Sequence, residues 1–362
     1  MDVRTRAVFG GLILAASAAA RGEFPAERMY RTVQVGPGVY AFLSPETDGP
    51  IPSGNVVAVI GGNAVLLVDS GRFPSLARRM AAEIRQKTDR PVRYLVHTHW
   101  HLDHIAADAA FREAFPEMAF VSTVFTRRKM IEKQVPYLEG LAQTDAAYVK
   151  YLEERLAGGA GRDGSKMSEE EKRYLASQAE DVRLEMAEVA GVRVVVPTLT
   201  FETELRIDLG SREVRVAFLG KGNTAGDAVV IVPDAKVVAT GDLLVGPTPY
   251  GYGCHPAAWI RTLSALTAID AAAIVPGHGP VLRDWSYARK VSALLQDVER
   301  QVAEQVRAGA TLAETRERVN LAEERKAFAG ESFERRAAFD DFFARSAIER
   351  AYQEARGEMA EE

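Results

Sequence analysis

The sequence predicts a layered α/β fold in which two halves of similar plan face each other. In each half an apolar hairpin ends in an aspartate, a helix follows, and the next apolar strand ends in a histidine motif. The aspartates are Asp69 and Asp242. The first histidine motif begins at His97, and the second contains His278. Two such halves would bring both strand ends to one edge of a sheet sandwich, where layered α/β proteins usually place their chemistry. The sequence therefore predicts a site built from both halves.

The bulk composition is that of a globular protein with a sizeable core. The chain has 362 residues, of which 47% are hydrophobic and 26% charged. A formal net charge of −5 gives no reason to expect a nucleic-acid partner. Cys254 is the single cysteine, so no intramolecular disulfide can form.

The N-terminus has the layout of a secretory signal peptide over residues 1–20. Arg4 and Arg6 precede an apolar run over residues 7–20, and Ala18 to Ala20 offer a small-residue cleavage site. The run is short for a membrane span, although an uncleaved anchor is the alternative. We therefore expect a periplasmic or secreted protein with no stable membrane span after cleavage.

The elements of the two halves follow from apolar runs bounded by turn residues. In the first half we predict hairpins over 32–43 and 55–68, a helix over 75–86 and a strand over 92–96. In the second half we predict strands over 228–232 and 236–239, a helix over 257–268 and a strand over 271–275.

Two helical segments are added to this plan. An insertion over about residues 125–189 predicts a pair of helices broken at Gly158 to Gly161, with Ser168 as the N-cap of the second helix. It could serve as a lid, as a contact in a homo-oligomer, or simply as a solvated helix pair. Residues 283–362 form a helical C-terminal extension, whose apolar stripe we expect to face the core. The stripe consists of Val291, Leu294, Leu295 and Val298, and Phe339, Phe342 and Phe343 are expected to dock the last helix.

The densest chemical signal is the loop after the strand that ends at Val96. It reads His99-x-His101-x-Asp103-His104 and holds three of the six histidines of the chain. Imidazole and carboxylate groups together suit zinc and its first-row neighbours. A merely solvated polar loop is disfavoured by this density.

These motifs together resemble the metallo-β-lactamase superfamily. The resemblance rests on the histidine loop, a downstream Gly-Asp242 and the final Gly277-His278-Gly279, in order over about residues 30–282. It implies a four-layer αββα sandwich, here over residues 21–282, with a metal site at one edge. In such proteins two metals share a bridging water or hydroxide.

The resemblance also implies roles for individual residues. His99 and His101 correspond to ligands of the first metal, and Asp103, His104 and His278 to ligands of the second. Asp242 corresponds to the carboxylate that bridges both, and Asp69 to the acid that orders the histidine loop by hydrogen bonds.

One position departs from the family pattern. Where the family has a third histidine for the first metal, this chain has Asn223, in the segment Gly220 to Asp227. An amide oxygen is a poorer zinc ligand than imidazole. We therefore expect one or two zinc ions per chain, with the Asp103/His104/His278 site the stronger. His97 is absent from the family's ligand pattern, yet it remains a candidate substitute for the missing histidine.

The loop over residues 245–256 follows Asp242 and should line the pocket. Its Tyr250 or Tyr252 could donate a hydrogen bond to a carbonyl oxygen that becomes an oxyanion, although packing within the loop would explain them as well.

The resemblance implies an exported hydrolase of a small molecule. A metal-bound hydroxide would attack the carbonyl of a lactam, lactone, ester or amide, with Asp103 orienting the water or holding the second metal. An aspartate at Asp242 is similar to the lactonase, glyoxalase and phosphodiesterase branches, whereas true β-lactamases usually carry Cys or Ser there. The alternative is a protein that binds a metal or ligand with little or no turnover, because Asn223 replaces a ligand.

Overall fold

The computed structural model describes residues 24–45, 53–162 and 164–359. The predicted signal peptide lies outside these residues. None of the helices they form is long and apolar enough to cross a membrane.

Twelve strands form two sheets in the described part of the chain. In chain order they are β1 (Arg31–Gly36), β2 (Val39–Leu43), β3 (Val56–Ile60), β4 (Val65–Val68), β5 (Val92–Val96), β6 (Ala119–Thr123), β7 (Leu199–Phe201), β8 (Glu204–Asp208), β9 (Glu213–Phe218), β10 (Ala228–Val232), β11 (Val237–Val245) and β12 (Ala273–His278). The first sheet has the order β1-β2-β3-β4-β5-β6-β7, and the second has the order β12-β11-β10-β9-β8. Strands β4 to β7 run parallel, as do β11 and β12, so their carboxyl ends meet along one edge.

Helices cover the outer face of each sheet and fill the two additions. They are α1 (Pro74–Lys87), α2 (Leu102–Ile105), α3 (Asp108–Ala114), α4 (Val124–Lys129), α5 (Val135–Gly158), α6 (Glu169–Val189), α7 (Pro256–Thr267), α8 (Ser286–Arg307), α9 (Leu312–Arg318), α10 (Ala322–Ala329), α11 (Phe333–Ala338) and α12 (Arg345–Arg356). Two π-helical segments, Met130–Gln134 and Phe339–Ala344, join α4 to α5 and α11 to α12.

Three apolar clusters hold the four layers together, which confirms the αββα architecture. Side chains such as Val57 and Val230 fill the space between the two sheets. A second cluster, with Met80 of α1, packs against the first sheet. The third packs α7, α8 and α12 on the second sheet and includes Leu294. Strands buried on both faces read as continuous apolar runs, which is why they could be recognised in the sequence.

The structure differs from the sequence prediction in two respects. Strands β6 to β9 were not predicted; in β8 and β9 the charged residues Arg206 and Arg215 alternate with apolar ones on a solvent-facing surface. Strand β11 continues to Val245, so Asp242 lies within the strand instead of at its end. The pairing of β11 with β12 becomes irregular there, between Gly241 and Val245.

The insertion forms a continuous helical run, from α4 through the π-helical segment to α5, followed by α6, and Ser168 accepts a hydrogen bond from the Glu171 amide as the predicted N-cap of α6. The inner face of α6 binds the core through charged pairs. Arg28 pairs with Asp181, and Arg72 pairs with Glu185. These charged pairs, together with apolar contacts of Leu141 and Val189 with Leu102 and Ala106, hold the insertion over the core.

The C-terminal extension is helical and packs its predicted stripe into the core. Val291, Leu295 and Val298 are fully buried there. Of the three phenylalanines expected to dock the last helix, Phe339 and Phe343 do so, whereas Phe342 lines a cavity instead.

Removing a buried carboxyl from the C-terminal extension is expected to stabilise the protein at alkaline pH. Burial, together with a hydrogen bond and charge from Glu354, raises the pKa of Glu299 to about 8, against the weaker effect of Arg261. Glu354 also accepts a hydrogen bond of 3.1 Å from the Ala257 amide at the start of α7. A raised folded-state pKa means stability that is full below the ordinary value of ~4.3 and is lost as the pH rises towards 8.

We therefore expect Glu299→Gln, which is neutral at every pH, to raise the melting temperature more at pH 8.5 than at pH 5. The difference between the two changes should be about 2 °C or more. Thermal unfolding across this range measures the difference. Glu304→Gln, an exposed position on the same helix, should show no such trend. An equal effect of Glu299→Gln at both pH values would contradict the assignment.

Candidate metal centre

Two groups of metal-ligating side chains lie side by side at the carboxyl edge of the sheets. One consists of His99, His101 and Asp242, and the other of Asp103, His104 and His278. Within each group the ligand atoms lie within 4.8 Å of one another. The two groups match the sets that the family resemblance implied.

The histidine loop owes its shape to Asp69 at the end of β4. Asp69 accepts hydrogen bonds from the Thr98 amide at 2.7 Å and the Thr98 hydroxyl at 2.8 Å, and its Oδ2 lies 2.9 Å from His104 Nδ1. In the tautomer that donates the Nδ1 proton to this carboxylate, Nε2 of His104 has a lone pair that faces the other ligands and could bind a metal. Asp69 has a left-handed backbone with φ of 58°, a conformation that aspartate tolerates better than most residues.

Ligand atoms in both groups approach one another at distances that need a cation or a proton between them. His99 Nε2 lies 3.0 Å from His101 Nδ1 in the first group. In the second, His278 Nε2 lies 2.9 Å from Asp103 Oδ2 and 3.2 Å from His104 Nε2.

Asp242 reaches both groups. Its Oδ2 lies 3.5 Å from His99 Nε2, and its Oδ1 lies 3.2 Å from His104 Nε2. Oδ1 is buried, and apart from this contact with His104 no group of the described residues meets it in hydrogen-bond geometry. A buried carboxylate oxygen without a partner is costly unless a cation satisfies it. The donor set of imidazole and carboxylate, with this orphaned oxygen at its centre, fits a divalent metal such as zinc.

The charges of the site are strongly coupled. Burial works against the charged form of His104, but Asp242, Asp103 and Asp69 outweigh it and raise the pKa of His104 well above its usual value, so a metal that binds Nε2 would displace a proton from it. Burial likewise opposes ionisation of Asp103, but His104 and His278 hold its pKa below its usual range. Burial, with the neighbouring His99, lowers the pKa of His101 to about 3, so this ring stays neutral as a metal ligand must.

Two glycines let backbone pass close to the ligands. A Cβ on Gly54 would lie 2.5 Å from the His104 ring, and a Cβ on Gly277 would lie 2.0 Å from Asp242 Oδ1. The Gly277-His278-Gly279 motif thus serves close approach to Asp242 in addition to carrying a ligand.

Asn223 is fully buried, and the loop that it contacts carries Tyr250, whose ring lies against His101. Its Nδ2 donates a hydrogen bond of 2.7 Å to the Tyr250 carbonyl. Its Oδ1 finds no hydrogen-bond partner in the part of the chain that the structure describes. The hydrogen bond of Nδ2 fixes the orientation of the amide, so Oδ1 is the only side-chain atom of Asn223 that could serve as a ligand.

The two remaining histidines lie outside both groups. His97 is buried, and its Nε2 lies 2.9 Å from an oxygen of Asp108, with which it forms a core pair behind the loop. This pairing speaks against His97 as a substitute for the missing histidine. His255 precedes α7 and donates its backbone N–H to the Gly222 carbonyl.

The comparisons with known proteins agree with this geometry. The family model described as the metallo-beta-lactamase superfamily matches residues 50–278, well over half of the chain. The chain belongs to this superfamily. Most of its members are metallo-hydrolases, and this member carries His/Asp groups suited to metal binding.

Similar solved structures support the fold. A metallo-beta-lactamase from Pontibacter korlensis aligns with a TM-score of 0.52 and 19% identity, over 74% of this chain and 99% of that one. The DIM-1 metallo-beta-lactamase aligns with a TM-score of 0.51 and 17% identity, over 76% of this chain and 99% of that one.

A curated relative is a linear primary-alkylsulfatase from Pseudomonas sp. (strain ATCC 19151). It is 26% identical over 223 residues, which make up 59% of this chain and 39% of the relative. The chain therefore spans well under two thirds of that protein's length.

The site of this superfamily member opens into a cavity of about 540 Å³. The ligands His101, Asp103, Asp242 and His278 form its floor. Its walls are mainly apolar and aromatic, and they include Pro45, Trp100, Leu102, Tyr137, Val245, Pro247, Pro249, Tyr250, Tyr252, Ala338 and Phe342. Both the insertion and the C-terminal extension contribute, through Tyr137 and Phe342 respectively.

The two tyrosines predicted to act on the substrate differ in position. Tyr250 is half-buried, and its ring lies edge-on to His101 with centroids 5.6 Å apart. Burial, together with the charges of Asp103 and Asp242, raises the pKa of Tyr250, so its hydroxyl keeps its proton. Tyr252 lies at the cavity mouth with 65% of its surface exposed.

Sequence reasoning missed two residues that shape the site. The Arg72 guanidinium lies 4.0 Å from Asp103 and also pairs with Glu185 of the insertion. Phe342 stacks on Tyr250, with ring centroids 6.2 Å apart. Arg72 follows Asp69 by three residues and could have been suspected, whereas nothing in the local sequence distinguishes Phe342 from Phe343.

Proposed function

We propose that this protein is an exported, metal-dependent hydrolase of a small, partly apolar molecule, whose scissile bond is that of a lactam, lactone, ester or amide. The observation that carries the proposal is the pair of ligand groups joined by Asp242 on the floor of a largely apolar cavity. Small-molecule sites are usually concave and apolar with a few convergent polar groups.

A bound divalent metal would polarise the substrate's carbonyl and lower the pKa of a water molecule to ~7. The residues of the chain do the rest. Asp103 and His278, whose side chains lie 2.9 Å apart on the cavity floor, would help to hold the metal, and Asp103 would orient the attacking water. Asp69, whose Oδ2 lies 2.9 Å from His104 Nδ1, would keep His104 in the tautomer that ligation requires. Tyr250, which stays protonated, would donate a hydrogen bond to the substrate oxygen that gains negative charge.

The export part of the proposal rests on Arg4, Arg6 and the apolar run over residues 7–20. A mature protein that begins near residue 21, measured by intact mass after expression in a Gram-negative host, would support it. A full-length cytoplasmic product would count against it.

Sulfate esters are a second candidate substrate class, because the curated relative acts as a linear primary-alkylsulfatase by name. The aromatic walls of the cavity would accept an alkyl or aryl group next to the ester. The alternative without turnover, in which the chain binds a metal or ligand, is favoured only by Asn223.

Turnover of a chromogenic substrate panel separates these possibilities. The panel is a chromogenic cephalosporin, a γ-lactone, a p-nitrophenyl ester and p-nitrophenyl sulfate, each with zinc-loaded mature protein and with added chelator. Chelator-sensitive turnover of any carbonyl substrate supports the proposal, and turnover of the sulfate alone favours the second candidate. Metal binding without turnover of any compound would favour the binding protein.

The metal content is expected to reflect the asymmetry of the two groups. Because Asn223 offers at most an amide oxygen, we expect the protein as purified to carry closer to one metal than two. Asn223→His should raise occupancy of the His99 and His101 group, since an imidazole is the better ligand. Elemental analysis before and after dialysis measures both; two tightly held metals in the wild type would contradict the prediction.

A further inference from the structure

The ring of Tyr250 is held between two other rings. On one side it meets the edge of the metal-ligating His101, with centroids 5.6 Å apart and an interplanar angle of 80°. On the other side it stacks on Phe342, with centroids 6.2 Å apart and an angle of 29°. Aromatic pairs of both geometries are favourable beyond the area that they bury.

The backbone around Tyr250 is fixed by two hydrogen bonds from outside its loop. Asn223 Nδ2 donates to the Tyr250 carbonyl at 2.7 Å. The Gly251 amide donates to the Phe342 carbonyl at 2.8 Å. Three parts of the chain thus converge on Tyr250: the histidine loop, the segment that holds Asn223, and the C-terminal extension.

Phe342 differs from its aromatic neighbours on the same π-helical segment. Phe339 and Phe343 are fully buried in the apolar cluster under α8, while Phe342 is half-buried and faces the cavity. The side chain of Phe342 is therefore available to the site in a way that the other two are not.

We infer that Phe342 of the C-terminal extension and Asn223 are positioning residues that hold the Tyr250 hydroxyl over the metal centre. We call this set of contacts among His101, Asn223, Tyr250 and Phe342 the Tyr250 clamp. Asn223 then acts by holding Tyr250, and not as the metal ligand that its place in the family pattern implied. The C-terminal extension contributes to the site through Phe342.

The kinetic consequence rests on the proposed hydrolase function. A donor that is displaced by as little as 1 Å from the developing charge loses ~100-fold in rate. The clamp fixes both the ring and the backbone of Tyr250, so loosening it should lower kcat more than it changes KM. Tyr252, exposed at the mouth of the cavity, has no comparable constraint among the described residues.

The test uses the full chain and two readouts, of which one does not need turnover. In Phe342→Ala we expect hydrogen exchange of the peptide over residues 246–253 to rise by about tenfold, because the loop loses its packing partner. With the substrate found in the panel above, kcat should fall about 10- to 100-fold at unchanged metal content. Phe342→Tyr keeps the stacking surface, so its hydrogen exchange over residues 246–253 and its kcat should stay near the wild-type values.

Matched variants separate positioning from general destabilisation. Phe333→Ala removes a phenylalanine of the same extension that packs on Tyr174 instead, and it should leave the exchange of residues 246–253 unchanged. Tyr250→Phe keeps the ring in the clamp and removes only the hydroxyl, so kcat should fall without faster exchange.

The inference and the proposed function can fail separately. If no substrate is turned over, the proposed function fails and the exchange result alone decides whether the Tyr250 clamp exists. Unchanged exchange in Phe342→Ala would overturn the clamp. Faster exchange with unchanged kcat would overturn the positioning role of Phe342.

Discussion

Replacing Asp242 with asparagine is expected to lower kcat/KM by at least about 100-fold, and to release metal from both ligand groups. Asp242 approaches ligands of both groups, with Oδ2 3.5 Å from His99 Nε2 and Oδ1 3.2 Å from His104 Nε2. The amide has the same shape but carries no charge, and its nitrogen cannot bind a cation. Elemental analysis and steady-state kinetics on the same preparation measure the two effects together.

The fold should survive this change, because asparagine fills the same space. Asp270→Asn, which removes a surface carboxylate paired with Lys236, is the matched control and should leave metal content and kinetics unchanged. Retention of two metals and of near wild-type kcat/KM by Asp242→Asn would show that the two groups do not share this carboxylate.

The second large effect is expected from Asp69→Asn, which changes no residue that touches the metal. In this variant the amide NH₂ takes the place of the oxygen that faces His104 Nδ1. Two N–H donors cannot hydrogen-bond to each other, so the imidazole would have to carry its proton on Nε2 instead. That nitrogen is the one directed at the other ligands, and its lone pair would be lost. We expect metal affinity of the Asp103, His104 and His278 group to fall about 10- to 100-fold, as measured by titration with a competing chelator.

The chain contains a matched control for this prediction. Asp227 holds Thr224 as Asp69 holds Thr98, accepting from the Thr224 amide and hydroxyl at 2.8 Å each. Asp227→Asn should therefore disturb a comparable loop without changing the tautomer of His104. Equal loss of metal affinity at the second group in both variants would mean that loop stability, not the tautomer, governs binding.

The histidine loop could be predicted from the sequence because its ligands are adjacent in the chain, whereas Asp242 and His278 were assigned through the family resemblance. His99 to His104 span six residues shortly after a buried strand, and ligands this close in sequence stay close together in any compact fold. The ordering role of Asp69 is seen in its hydrogen bonds to Thr98 and His104. The strands buried on both faces could be recognised from their continuous apolar runs, whereas their arrangement as an αββα sandwich was implied by the family resemblance.

The fold was harder to predict where strands lie at sheet edges. Strands β8 and β9 bury one face only, and charged residues such as Arg206 and Arg215 interrupt their apolar pattern. Their pairing depends on contacts with neighbouring strands, which the local sequence does not reveal.

What the sequence by itself determined is the set of chemical groups: imidazoles and carboxylates for a metal, and two helical additions to a sandwich. Only the tertiary structure decided how these groups are shared. It set Asp242 between the two ligand groups, turned His97 towards Asp108, and chose Tyr250 over Tyr252 as the tyrosine against His101. Residues far apart in the chain meet through packing, and Phe342 reaches the cavity only because Phe339 and Phe343 take the buried positions beside it.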